Sequence, residues 1–239
     1  MAAGYYPDDF GLNVARNVVK GTSHLHKFGA IPALANGSEA TVWDGGVLYP
    51  WSAYDVANTA VISIVDDDDN GKTVTVEGLD QNYLFTSEDF VVSNNAVTTG
   101  AVEFKRINRA YISAGTDNAA NVDITYNSTV VAKILEGRGQ TLMTVYTVPD
   151  DCTMYMTKIQ ASADGSSSLF LKKKFPGQDA FRIAHTGELQ GGSYEYEFDF
   201  PLAIPARTDI DVRAESKVGS GNARVTGAFC GLVIKDGLG

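Results

Sequence analysis

The sequence predicts an all-β protein: two antiparallel β-sandwich or jelly-roll-like halves behind a short N-terminal arm. Three observations carry that expectation. Tyr194, Tyr196, Phe198 and Phe200 alternate with Glu195, Glu197 and Asp199, a strict period of two with one apolar and one acidic face. Short apolar and β-branched runs recur from Gly21 onward, separated by Gly, Asn, Asp and Pro, as in sandwiches and barrels. Helical periodicity is weak and confined to residues 11–20, so helix is expected in under about a tenth of the chain.

The arm is residues 1–20. Tyr5, Tyr6, Pro7 and Phe10 are interleaved with Asp8, Asp9 and Gly11, a pattern of neither strand nor clean helix, and residues 13–20 suit a short helical turn. Exposed aromatics at a terminus need a surface to lie on. Tyr5, Tyr6 and Phe10 are therefore read as an arm docking onto a neighbouring subunit.

The first β domain is expected over 21–112, with strands at 29–34, 39–43, 61–65, 73–78, 89–92, 97–99 and 104–112. The SAGTDNAAN stretch at 113–121 reads as the division between halves. The second domain, 113–239, is jelly-roll-like, with strands at 122–126, 130–134, 141–148, 154–161, 168–175, 181–189, 192–200, 210–214 and 223–234.

The stretch 61–79, VISIVDDDDNGKTVTVEGL, reads as a β-hairpin, because β-branched runs flank an acidic Asn-Gly turn. Asp66, Asp68, Asn70, Gly71 and Glu77 also fit the spacing of a calcium loop. The flanking residues are poor helix formers, so the hairpin is preferred and metal there is expected to be absent or weak.

The chain of 239 residues has 44% hydrophobic and 20% charged residues, the composition of a folded domain. Its net charge of -10 is concentrated early: 7 basic against 14 acidic residues through Ile112. Nucleic acid, which needs clustered Lys and Arg, is not an expected partner. Lys172, Lys173 and Lys174, between Phe170 and Phe175, read as a charged guard on a solvated sheet edge.

No apolar run has the length of a membrane span, and the first residues lack a secretion signal, so folding in a cytosol and no membrane partner are expected. Cys152 and Cys230 are too few for a disulfide framework. Cys230 lies in the apolar run GAFCGLVI and should resist labelling, whereas Cys152, beside Asp150 and Asp151, should react more readily.

Catalytic signatures are lacking. His24 and His26 would share one face of a strand, but no third metal ligand stands at a suitable spacing, and His185 is alone. No nucleophile elbow or phosphate-binding glycine loop can be quoted, so no catalytic residue and no cofactor is assigned.

The succession TVTVEGLD, VVSNNAVTTGAVEFKRINRAYI and AKILEGRGQTLMTVYTVP resembles virion structural proteins of tailed bacteriophages, especially marine phages. The resemblance covers roughly residues 35–150 best, with IPARTDIDVRAES and VTGAFCGLVI similar in character, and departs at Asp150 and Asp151 after Pro149. It implies an all-β virion component made in the bacterial host cytoplasm, and supplies no active residues to carry over. The leading expectation is a capsid decoration, or cement, protein: a homo-oligomer, most simply a trimer, contacting the major capsid protein or another virion protein. The alternatives are a tail or fibre component that binds a host surface and, from another class, an all-β carbohydrate-active enzyme. The chain lacks a fibre's long Gly-rich or coiled-coil shaft.

Overall fold

The computed structural model describes residues 10–55, 58–64, 66–93, 96–217 and 222–237. Of these, 61% are in strands and 6% in helical turns. The chain runs α1 (Phe10–Ala15), β1 (Thr22–Ala35), β2 (Glu39–Thr41), β3 (Asn58–Ser63), β4 (Thr73–Leu79), β5 (Phe85–Val91), β6 (Val97–Phe104), β7 (Arg106–Ala114), β8 (Val122–Tyr126) and β9 (Thr129–Ile134). It continues with β10 (Tyr146–Thr147), β11 (Cys152–Ala163), β12 (Ser166–Lys174), β13 (Arg182–Gln190), β14 (Ser193–Ile204), β15 (Asp209–Ser216) and β16 (Asn222–Lys235).

Among the described residues, four antiparallel sheets enclose two cores. One sheet orders β1-β16-β11-β14 and faces a second ordered β10-β15-β12-β13, with β2 also on β15. Ile31, Leu34, Met154, Met156, Leu169, Ile210, Val225 and Phe229 fill the space between them. The other core lies between β6-β3-β8-β9 and β5-β4-β7, around Trp43, Tyr54, Val76, Phe104, Ile124 and Tyr126. Period-two burial, as in β8, points alternate residues into these cores.

The cores partition the chain differently from the expected boundary. Residues 31–42 share a core with residues 146–233, while residues 43–145 form the other. SAGTDNAAN is instead a largely exposed corner from β7 to β8 within the 43–145 segment, pinned by buried Asn118, whose Nδ2 donates to the Ala120 and Leu135 carbonyls. The chain thus crosses between cores twice, and the crossings lie side by side: Trp43 bridges Met143, and Thr144 N–H donates to the Val42 carbonyl at 3.0 Å. The stretch 141–148 is for that reason mostly connector, with strand only at Tyr146–Thr147. Gly29 faces this crossing, where an added Cβ would stand 2.1 Å from the Val42 carbonyl oxygen.

The stretch 61–79 is not a hairpin. β3 pairs with β6 and β8, β4 with β5 and β7, so the acidic turn crosses from one sheet to the other. At this crossing the Asp69 carboxylate is fully buried. It accepts from Lys72 Nζ at 2.7 Å and from the Ala119 and Ala120 N–H groups at 2.8 and 3.1 Å. The apolar flanks then belong to opposite layers.

Candidate functional site

The strand with the clearest sequence signal builds the most distinctive surface. β14 is the end strand of its sheet and, among the described residues, pairs with β11 alone. Glu195 and Glu197 lie on its outer face, where Lys158 bridges both at 2.8 and 3.0 Å. Glu197 pairs with Lys158 and Leu202 with Met156, so Phe198, Asp199, Phe200 and Pro201 bulge out opposite Thr157. Pro201 has no N–H to give a ladder, and a bulge redirects side chains at a sheet edge. Phe200 is left 86% exposed.

The rest of the apolar row closes the seam between β14 and β13 with rings rather than backbone hydrogen bonds. His185 of β13 lies 4.3 Å from the Tyr196 ring and 5.8 Å from that of Phe198, and its Nε2 is 2.6 Å from the Tyr194 hydroxyl. Burial lowers the His185 pKa, which favours the neutral form of the ring. Gly187 leaves room for Tyr194, because a Cβ there would stand 2.7 Å from the ring. Tyr196, at 38% exposure, and Phe200 extend the row into solvent.

Behind this surface, buried polar groups clamp the two cores together. Arg106 grips Asp209 through Nε and Nη2 at 2.8 and 2.9 Å, and Thr147 Oγ1 donates to the same carboxylate at 2.6 Å. Burial works against the Arg106 charge, yet the Asp209 carboxylate outweighs it and raises the Arg106 pKa. The guanidinium also lies over the rings of Trp51, Tyr54 and Tyr83. Trp51 Nε1 donates to Asp211 at 3.0 Å, and Thr147 N–H donates to Asn108 Oδ1 at 3.1 Å. The cores are thereby held as one body.

The basic run belongs to this clamp and not to a sheet edge. β12 is flanked by β13 and β15, Lys172 bonds Glu39 at 2.8 Å, and Lys174 reaches Asp209 at 3.3 Å. Carboxylates far away in sequence take up the charges of Lys172 and Lys174, while Lys173 lies over the Phe175 ring.

Of the arm, Phe10 opens α1 and is 53% exposed, while Tyr5 and Tyr6 lie outside the described residues. The calcium-spaced residues go to separate tasks. Asp66 caps the turn by accepting from the Asp68 N–H at 2.9 Å, and Glu77 is held by Arg109 at 2.6 Å and the Tyr111 hydroxyl at 3.2 Å. Among the described residues, no group of three or more His, Cys, Asp or Glu side chains converges as a metal site. His24 and His26 do share one exposed face of β1, their rings 6.5 Å apart.

The cysteine contrast changes. Cys152 is partly buried and its thiol donates to Asp151 Oδ1 at 3.3 Å; burial first, then the Asp151 carboxylate, pushes its pKa up to about 12. Cys230 turns to the face opposite the core residue Phe229, is also partly buried, and has a raised pKa through burial. The neighbouring acid therefore suppresses the thiolate that reaction requires.

The chain matches no protein-family model and no curated protein. Among solved structures it is similar to a protein of the infectious bursal disease virus Gt strain, at 10% identity and a TM-score of 0.28, covering 97% of this chain and 79% of that one. It is also similar to the PBSX exported protein XepA, at 10% identity and a TM-score of 0.20, covering 86% of each chain. A third likeness is to the infectious bursal disease virus VP2 subviral particle, at 10% identity and a TM-score of 0.22, covering 99% and 75%. Superpositions this loose assign no role, which is left to the chain's own surfaces.

Proposed function

We propose that this chain is a virion structural protein of a tailed bacteriophage, a capsid decoration protein that works by contact rather than catalysis. The observation that carries the reading is the β14 edge: an aromatic row ending in a solvent-exposed Phe200 on a bulged end strand. Monomeric proteins blunt such edges, and large exposed aromatics on them mark surfaces awaiting a partner. The resemblance of residues 35–150 to phage virion proteins supports that partner being a subunit of a particle. The occupant is a neighbouring copy in a closed homo-oligomer, most simply a trimer seated on the major capsid protein, with Tyr5, Tyr6 and Phe10 of the arm adding to the same assembly.

Phe200→Ser tests this, because a side chain already in water contributes little to the fold of a single copy. Covering one Phe contributes about 1.5–3 kcal/mol, so self-association or particle binding should weaken by about 10- to 150-fold, while the melting temperature measured at dilutions where the parent is dissociated stays unchanged. Sedimentation gives the oligomer, and co-pelleting with particles lacking the protein gives attachment. Unaltered assembly and attachment in both Phe200→Ser and a chain lacking residues 1–12 would remove the reading's support.

A further inference from the structure

Between the cores, β1 faces β4 and β7 across a cavity of about 250 Å³. Lys27 enters it from β1 with 7% of its surface exposed, and among the described residues its ammonium has one hydrogen-bond partner, the Asn108 backbone oxygen at 2.5 Å. An ammonium has three donors, and a buried one without a counter-charge is costly.

The neighbouring carboxylate does not fill this role. Glu77 is gripped by Arg109 through Nε to Oε2 at 2.6 Å and Nη2 to Oε1 at 3.2 Å. Of the three buried cations among the described residues, Lys72 has Asp69 and Arg106 has Asp209, whereas Lys27 has no carboxylate of its own. Burial first, then the Arg109 charge, lowers the Lys27 pKa from 10.5 to about 7, and the nearby Glu77 carboxylate offsets this only in part. Leu25, Leu79, Phe85, Tyr146 and Pro149 supply apolar walls, and Phe85, 65% exposed, stands at the mouth.

We propose that this cavity binds a small organic monoanion, a carboxylate on a short apolar or aromatic tail, with the carboxylate at Lys27 and the tail against Leu25, Leu79 and Phe85. The volume lies below the roughly 300–1,000 Å³ usual for drug-sized ligands, which favours a compact molecule. A dianion such as phosphate fits less well, since Glu77 shares the cavity and the second cation lining it, Arg109, is already bonded to that carboxylate. The inference is independent of the virion reading.

Calorimetric titration of the full-length chain with benzoate, benzyl alcohol and inorganic phosphate tests it. Benzoate should bind saturably; benzyl alcohol should bind about tenfold or more weakly for want of the charge-assisted hydrogen bond to Lys27, and phosphate more weakly than benzoate because it has no apolar tail and brings a second charge beside Glu77. Lys27→Met should abolish the preference for benzoate over benzyl alcohol, and Lys27→Gln is the second variant should the first fail to fold. Phe85→Ser, at the mouth, should weaken benzoate and alcohol together. No saturable benzoate binding into the tens of millimolar, equal binding of benzoate and alcohol, or an undiminished preference in the folded Lys27 variant would each overturn the proposal.

Discussion

Replacing Asp209 with Asn keeps the side chain's shape and removes the charge that Arg106 faces between the cores. The Arg106 side chain is 9% exposed and that of Asp209 2%, so solvent does little to screen either. Removing one partner of such a pair costs about 3–5 kcal/mol, because the other charge is left buried alone. The damage should be asymmetric. In Asp209→Asn the guanidinium keeps the Lys105 carbonyl, at 2.8 Å from Nη1, but no carboxylate. In Arg106→Met the Asp209 carboxylate keeps Lys174 at 3.3 Å and Thr147 at 2.6 Å, so the cost should fall to about 1–3 kcal/mol. Urea unfolding read in parallel by tryptophan fluorescence and far-ultraviolet circular dichroism suits the question, because Trp43 and Trp51 both belong to the second core. The two signals should coincide in the parent chain and separate in Asp209→Asn as the cores lose their coupling. A loss under about 1 kcal/mol with coincident transitions, or a larger loss in Arg106→Met, would refute this account of the clamp.

Two further outcomes follow from buried groups. Burial pushes the Asp69 carboxyl up, but the Lys72 ammonium and the Ala119 and Ala120 N–H groups outweigh it and hold the pKa below its ordinary value. The stability it contributes is therefore present above the unfolded pKa of about 4 and is lost as pH falls through the folded one. Melting temperatures of Asp69→Asn should start lower at neutral pH and fall less steeply on acidification than those of the parent; parallel curves would contradict this. For the thiols, Cys152 should label slowly at pH near 8 and Asp151→Asn should speed it; rapid labelling of Cys152 in the parent chain would show that its carboxylate contact is not kept in solution.

Strand positions were largely readable in the chain because they follow from local terms. The alternation at 194–200 emerged as β14, the run at 122–126 as β8, and β-branched 73–78 as β4. The aromatic edge was half legible: period two placed Tyr194, Tyr196 and Phe198 on one face, and Pro201 was a signal, unused, that the ladder must break beside Phe200. The clamp was not legible, since Arg106 and Asp209 are 103 positions apart and nothing local to either marks the other.

By itself, then, the sequence determined that the protein is all-β, where most strands run and which side chains share a face, because φ/ψ preference and side-chain alternation act within a few residues. Only the tertiary structure decided which strands pair, that 43–145 forms its own core between two segments of another, and that Lys172 and Lys174 meet acids instead of water. The physical reason is that pairing partners and counter-charges are chosen by the shared burial of distant segments. A strand such as β3 presents the same unpaired N–H and C=O groups to any neighbour, and in the folded chain those neighbours are β6 and β8 rather than β4.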